Sequence, residues 1–437
     1  MTPLDLARTG AGTEGASRAG TLAILGGRHA RLLAGPERLE GYDEHLARLG
    51  GPIDLTAGED LAAEIERSGL RGRGGGYFPL ARKLEVARRS PGQPVVVVNA
   101  TEGEPAIRKD RLLLSHRPHL VLDGAEALAA AVGADLIYVA VHEHRPETGH
   151  LEAAAAARPQ ASTRFRFVAT PDRYIAGESS ALVSWINGGP PRPTGRIRPS
   201  AVSGVGGRPT VVSNAETAAH VALIARFGAE WFGEAVTPGG PGSALLTVAG
   251  DVGRPGTVVE LTGSATIGQI VAAAGGPTEL PRALLIGGYT GRWIPAHDCW
   301  GKPLATVLSE LDAPIGCGLI GVMGSRRCGL VETSRLVGWL AGQRAGQCGS
   351  CDLGLPVLAE TFALVADGAR GRRRAPAQIV SLGQSLTGRG LCGLPDGVVS
   401  MVESSMQAFA QEMALHRKRR CSGEDGPPVF PLPGRKP

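Results

Sequence analysis

No apolar stretch in the chain approaches the roughly 20 residues that a helix needs to cross a bilayer, so no membrane span is expected. The opening residues, M-T-P-L-D-L-A-R-T-G, carry an aspartate and no apolar core, which argues against a secretory leader. Cysteines are scarce: seven in 437 residues, all at position 299 or later. That is too sparse for a secreted disulfide scaffold, and it suits an intracellular protein with a metal or redox site. Charge imbalance is small. The net charge is +5, much of it gathered in residues 370–374 and 416–420, so no nucleic-acid partner is expected. Aromatics are only 4% of the chain, whereas Gly (64) and Pro (32) are abundant, which implies many loops. With 43% hydrophobic and 20% charged residues, this is a globular composition, and the length suggests two to four domains.

The most informative stretch is residues 71–111. It begins R-G-R-G-G-G-Y-F-P-L-A-R-K, a glycine run with Arg73 inside it and Lys83 beyond. Glycines let backbone N–H groups approach a phosphate closely, and the two cations supply counter-charge. Such loops are also common as plain turns. It continues V-V-V-V-N-A-T-E-G-E-P-A-I-R-K-D-R. The apolar run 95–98 reads as a buried parallel strand. It stops at Asn99, and Thr101, Glu102, Glu104, Lys109, Asp110 and Arg111 crowd in. Open α/β sheets bind ligands at this carboxyl edge of their strands.

Residues 1–20 are expected to be disordered, with a short helix near 42–49 and another over 60–68. A βαβ rhythm follows: helix 120–132, strand 136–141, helix 149–157, strand 165–170. D-R-Y-I-A-G-E-S-S-A-L-V opens a helix with Glu178, Ser179 and Ser180 in its first turn. T-V-V-S-N-A-E-T opens another, with Ser213 or Asn214 as N-cap. A Pro/Gly linker lies near 238–242. Beyond it, strand-like 244–261, helix 266–274 and strand 283–286 suggest a small β domain. From about 332 the pattern is helical: 332–341, 356–367 and 402–416. The tail after 421 is expected to be loose.

C-G-S-C at 348–351 with the distant Cys392 is a thiolate pattern. An iron–sulfur cluster, a zinc site, a dithiol and three inert buried thiols all remain open from spacing alone. Cys299, Cys317 and Cys328 sit in apolar or glycine-rich surroundings and read as ordinary buried cysteines.

The pairing G-R-G-G-x-x-F-P with Lys83 and N-A-x-E-G-E-P-x-x-x-K-D-R resembles the FMN- and NADH-binding, 4Fe-4S-carrying subunit of respiratory complex I (the F subunit of NADH-quinone oxidoreductase) and related subunits of NAD-linked hydrogenases and formate dehydrogenases. The turns at 172–183 and 210–217 resemble the family too, and the likeness covers roughly residues 52–400. It implies an α/β fold: an N-terminal segment (1–51), a Rossmann-like FMN domain (52–237) without the G-x-G-x-x-G fingerprint, a small β-grasp (SLBB) domain (243–300), a helical iron–sulfur domain (325–421) and a disordered tail (422–437). By the same resemblance Gly72, Arg73, Gly74 and Lys83 hold the FMN phosphate. Asn99, Glu102, Tyr174, Glu178, Ser213 and Asn214 line the rest of the flavin, and Glu104 stands where the nicotinamide donor stacks. Flavin then couples a two-electron hydride donor, NAD(P)H, to one-electron acceptors. Partners would be a ferredoxin-like or other redox subunit. The location would be cytoplasmic, or peripheral to a membrane redox complex.

The chain departs from the family pattern at several points. The third cysteine of C-x-x-C-x-x-C is Gly354, leaving Cys348, Cys351 and Cys392; Cys421, amid Lys and Arg, is expected to close the 4Fe-4S site. His416, a water ligand and a three-iron cluster are the alternatives. Phe78 matches a family aromatic. Leu84 and Pro199-Ser200 stand where the family has aromatics, Thr101 replaces an aspartate and Ser179 a glutamate, so the flavin side reads as better preserved than the NADH side. Two rival readings remain: a non-catalytic, degenerate adaptor subunit of a redox complex, and a zinc-stabilised binding protein.

Overall fold

The computed structural model describes residues 22–26, 30–56, 58–158, 164–195, 199–371, 373–424 and 426–433. The disorder expected for residues 1–20 lies outside them.

Strand β1 (Leu22–Leu25) is followed by α1 (Tyr42–Leu49), α2 (Gly58–Ser68), α3 (Leu80–Arg89), β2 (Val95–Asn99), α4 (Lys109–His116) and α5 (Pro118–Val132). Next come β3 (Leu136–His142), α6 (Glu147–Ala156), β4 (Phe165–Thr170), α7 (Ser179–Ile186), β5 (Thr210–Asn214) and α8 (Ala215–Gly233). The four strands β2 to β5 form one parallel sheet in the order β4-β3-β2-β5. Side chains alternate along a strand. Val96 and Val98 therefore enter the core shared with α2, α5 and α8, while Val95 and Val97 face Leu182, Val183 and Val205 on the other side. Both faces are covered, which is why the sequence reads as an unbroken valine run. Helices α5 and α8 touch at Gly124, where a Cβ would sit 1.7 Å from the Ala218 carbonyl oxygen.

After the hairpin β6 (Val236–Thr237) and β7 (Gly240–Pro241) come β8 (Ala244–Gly250), β9 (Thr257–Leu261), α9 (Ile267–Ala273), β10 (Pro281–Ile286), β11 (Arg292–Pro295), α10 (Ala296–Cys299), α11 (Leu304–Glu310) and β12 (Leu319–Gly324). The larger sheet runs β1-β9-β8-β12-β10-β11. This mixed sheet extends past residue 300, the boundary expected from sequence, because β12 inserts between β8 and β10. It also recruits β1 from the N-terminal segment, which pairs parallel with β9. The buried Glu260 carboxylate fixes that junction: it accepts the Arg31, Leu32 and Leu33 amides at 3.0, 2.8 and 2.9 Å and the Ser243 hydroxyl at 2.7 Å.

The last unit is helical: α12 (Gly329–Gly342), α13 (Leu355–Ala366), α14 (Ala375–Leu386), α15 (Leu394–Ala408) and α16 (Ala410–Arg417). The helix expected over 402–416 is two helices, broken at Phe409. Its ring fills the space beside Gly329, where a Cβ would lie 2.3 Å from it. Over the described residues 426–433 the tail is not loose as expected. Phe430 is fully buried beside Tyr289 and Trp293, its amide donates to Glu332 Oε1 at 2.9 Å, and the Tyr289 hydroxyl donates to the Pro431 carbonyl at 2.7 Å.

Candidate active site and iron–sulfur centre

A cavity of about 610 Å³ opens where the three units meet. The parallel sheet delivers its carboxyl edge there, as open α/β sheets do: Asn99 at the end of β2 and Ser213 and Asn214 at the end of β5 line the wall. The glycine loop runs across it. The Gly72 amide bonds the Phe78 carbonyl at 2.9 Å, and Gly75 has φ +99°, a left-handed conformation that favours glycine. Gly74 passes so close to Asn214 that a Cβ there would stand 3.1 Å from the asparagine Cβ.

Lys83, from α3, reaches the cavity, and its Nζ donates to the Val212 carbonyl at 3.0 Å. Burial pulls its pKa below the ordinary lysine value. A carbonyl satisfies a donor but leaves the charge unneutralised, so an anion bound there would restore it.

Arg73 behaves otherwise, correcting the expectation. It is 2% exposed and does not line the cavity. It donates to the carbonyls of Gly239 (3.5 Å), Pro241 (2.9 Å) and Ser243 (3.2 Å) and to the Tyr77 hydroxyl (3.1 Å), while its amide binds Thr217 Oγ1 at 2.8 Å. It clamps the β6–β7 hairpin onto the loop rather than reaching for a phosphate.

The acids divide by role. Glu102 accepts the Asp110 amide and the Arg111 Nε, each at 2.9 Å, and so fixes the start of α4. Glu178 N-caps α7, accepting from the Ala181 amide at 2.8 Å and the Ser180 hydroxyl at 2.6 Å. Asn214 N-caps α8 through the Glu216 amide at 3.0 Å and donates to Asp110 at 2.6 Å. Asn99 donates to the Gly177 carbonyl at 2.8 Å and accepts from the Thr101 amide at 3.1 Å. Tyr174 lines the cavity and packs edge-on against Trp339.

Glu104 is the least satisfied. Its Oε2 accepts the Tyr289 amide at 2.6 Å, while Oε1 is buried without a partner. Burial, with the neighbouring Glu102 charge added, pushes its pKa from 4.5 to about 8 against the Tyr289 hydrogen bond. The Ser213 hydroxyl is likewise buried and unpartnered. Orphaned polar atoms, a glycine cradle and an uncompensated lysine are what a phosphorylated, hydroxyl-rich cofactor such as FMN would complete.

The Glu104 shift has a consequence for stability. A carboxyl whose pKa is raised by folding stabilises the protein fully below the unfolded value and progressively less as pH climbs to the folded one. Flavin-free protein is therefore expected to lose stability between pH 4.5 and about 8. Glu104→Gln should flatten that part of the profile. A slope unchanged in the variant, followed by urea midpoints at several pH values, would assign the titration elsewhere.

Thr290 and Cys317 line the cavity without having been singled out from sequence; Lys109 and Asp110, expected only as part of the polar cluster at the strand's edge and given no site role, line it too. Lys109 bridges Asp110 (2.8 Å) and Glu216 (2.9 Å) inside the wall. The K-D-R ending of the second motif was its available signal. Cys317, read from sequence as an ordinary core residue, faces the glycine loop; a Cβ on Gly75 would come within 3.2 Å of its Sγ. Leu84 is 2% exposed in the core under α3 and takes no part in the wall, whereas Phe78 is 51% exposed at the cavity. The expected loss of stacking surface at Leu84 therefore does not arise at this cavity.

Cys348 and Cys351 occupy the turn before α13, and Cys392 the turn before α15. Backbone amides of Cys348, Gln347 and Gly346 hold the Cys351 thiol below its ordinary pKa although burial opposes them, and Gln347 N lies 3.4 Å from its Sγ. The Cys392 thiol feels both others, and burial raises its pKa to about 11. The Cys348 and Cys351 side chains are within hydrogen-bonding reach of each other and both act electrostatically on Cys392, so three thiols gather in one place, as an iron–sulfur cluster needs. Gly354 offers no ligand, and the space its side chain would take is filled by Leu386, 2.1 Å from an ideal Cβ. Cys421 is not the missing thiol. It lies beside Cys328 and His416, in a separate cavity, because the break at Phe409 and the docked tail carry it away from Cys348.

Two family models match the chain: the Nuo51 FMN-binding domain over residues 65–223 and the NADH-ubiquinone oxidoreductase-F iron–sulfur binding region over residues 332–416. The F subunit of NADH-quinone oxidoreductase from Rhodobacter capsulatus is 28% identical over 92% of this chain and 96% of its own length. The F subunit from Mycobacterium tuberculosis is 29% identical over 87% and 88%. Among solved structures, an NAD+-reducing [NiFe]-hydrogenase in the air-oxidised state superposes with TM-score 0.80 at 28% identity, over 94% of this chain and 70% of that one. No helix among the described residues is long and apolar enough to cross a membrane. Matched in chain order, residues 65–223 and 332–416 carry the FMN-binding domain and the iron–sulfur binding region found together in NADH-quinone oxidoreductase F subunits, to which the chain is similar over most of its length.

Proposed function

We propose that the protein takes a hydride from NADH at the flavin cavity and passes single electrons through the iron–sulfur centre to a redox partner subunit. The observation carrying this is that Cys392 lies in the wall of the same cavity as Lys83, Glu104 and the glycine loop. A cluster on Cys392 would therefore stand directly behind the flavin.

When bound, FMN would supply the exchange between two-electron and one-electron carriers. The chain's own groups bind and orient it. Lys83 and the amides of Gly72–Gly76 would receive the phosphate, and the Ser213 hydroxyl and Asn99 would meet the ribityl hydroxyls. Glu104, whose pKa burial raises to about 8, can when protonated donate from Oε1 into the cavity without placing a charge beside the donor's ring. Cys348, Cys351 and Cys392 would hold three corners of the cluster.

The partner is proposed to be a ferredoxin-like or similar electron carrier, and the complex to sit in the cytoplasm or at the periphery of a membrane assembly. The adaptor reading draws support from Gly354 and from Pro199-Ser200, which stand where a cluster ligand and an aromatic would be expected. Anaerobic purification separates the two. Flavin and iron–sulfur absorption that NADH bleaches supports electron transfer, whereas a colourless or NADH-inert protein overturns it. Cys392→Ser is expected to lose most of the iron while keeping the flavin, because Lys83 and the glycine loop are untouched. Iron content by elemental analysis, set against flavin absorbance, checks this.

A further inference from the structure

A thiol–imidazole cluster lies apart from both cofactor sites. Cys328 is the N-cap of α12, His416 stands in the last turn of α16, and Cys421 lies in the segment beyond it. One ligand atom from each falls within 4.8 Å of the other two, and Cys328 Sγ is 3.5 Å from His416 Nε2. Tetrahedral zinc, with Zn–S near 2.3 Å and Zn–N near 2.0–2.1 Å, sets neighbouring ligand atoms about 3.5–3.8 Å apart.

The surroundings prepare each group for a metal. His416 Nδ1 lies 3.1 Å from the Val365 carbonyl, which holds the proton on Nδ1 and leaves the Nε2 lone pair facing the cysteines. The Gly423 amide is 3.3 Å from Cys421 Sγ, a donor suited to a thiolate. Cys328 lies at a helix N-terminus, where the dipole favours negative charge. Arg327, Arg419 and Arg420 line the same cavity of about 800 Å³ and bring positive charge to it. Burial and the Glu412 charge oppose ionisation of the Cys328 thiol in the metal-free protein, and a divalent cation would offset both. Glu412 approaches Cys328 Sγ to 3.6 Å, but its oxygens are already engaged by the Gly329 amide (2.9 Å), the Ser422 hydroxyl (3.1 Å) and Arg282.

We propose that Cys328, His416 and Cys421 bind one zinc ion, with water from the open cavity as fourth ligand. Binding releases the two thiol protons to solvent. The ion would tie together the start of α12, the end of α16 and the chain leading to Phe430, and so anchor the C-terminal segment.

The test uses the full chain as purified with its cofactors. Zinc and iron are measured by elemental analysis in the native protein, Cys421→Ser and His416→Ala. The native chain is expected to hold about one zinc, taken up again after chelation when zinc chloride is added under reducing conditions. Cys421→Ser should lose it with iron and flavin unchanged. Cys421 is exposed, so this variant carries the test even if the buried His416→Ala misfolds. Cobalt in place of zinc should give thiolate charge-transfer and tetrahedral bands that Cys421→Ser lacks. Three results would overturn the proposal: a native chain without zinc uptake, equal zinc in native and Cys421→Ser proteins, or a Cys328–Cys421 disulfide in the unreduced protein. Loss of iron instead of zinc from Cys421→Ser would also overturn it, returning Cys421 to the cluster.

Discussion

Lys83→Met is expected to strip the flavin from the protein while leaving the flavin-free fold as stable as before, or more so. A hydrogen bond to a charged group contributes about 1.5–3 kcal/mol, so the flavin dissociation constant should rise about 10- to 150-fold. The second half of the expectation follows from what Lys83 meets in the protein itself: a carbonyl at 3.0 Å, and burial that lowers its pKa. A cation held there costs stability, and methionine removes that cost. Flavin retention through gel filtration and the melting temperature of the flavin-free forms are the two readouts. Unchanged retention would free Lys83 from the phosphate. Arg73→Met offers the contrast. It should lower the melting temperature with and without flavin, because it unclamps the β6–β7 hairpin.

Lys109→Met is expected to produce the largest loss of stability. Lys109 is 3% exposed and bridges Asp110 and Glu216. Burial alone would lower its pKa, but Asp110 and Glu216 hold it above the ordinary lysine value, so it is charged. Removing one partner of a buried ion pair costs about 3–5 kcal/mol, since the remaining charges have neither water nor counter-ion. For a domain of this size that is a fall of about 6–20 °C in the melting temperature. Adding Glu216→Gln to the variant should recover part of it. A single variant as stable as the native protein would mean that the acids are neutral in the fold.

The sheet and its edge were legible because their signals are local. Four valines ending in Asn99 can be read as a strand without knowing their neighbours, and Asn214 as an N-cap needs only the helix that follows. Lys83 and Glu178 were reached differently, through the resemblance of their motifs to a known family, and both line the cavity. Arg73 was misplaced. A cation in a glycine loop looks like a phosphate ligand until the carbonyls of Gly239, Pro241 and Ser243, far along the chain, are seen to consume its donors. Cys421 was missed for a related reason: its position depends on a helix break at Phe409 that local propensity does not announce. Helix α14 was overlooked because Pro376 and Gly383 blur its pattern, although proline is well tolerated in the first turn. The Pro-rich tail was read as loose because its one anchor, Phe430, gains its burial from Tyr289 and Trp293, which lie far back along the chain.

The pairing of β1 with β9 bears on how the chain is born. Leu22 leaves the ribosome early, yet its partner is Val258. At about 5–20 residues per second the partner follows roughly 10–50 seconds later. Until then the N-terminal strand has an unpaired backbone, and the amides of Arg31, Leu32 and Leu33 lack the carboxylate of Glu260 that will bind them. The parallel sheet of residues 95–214 can close in that interval, but the second sheet cannot be completed before its two ends are joined. Nascent chains paused ahead of residue 257 should therefore expose the N-terminal segment to holdase chaperones and proteases, and longer ones should not.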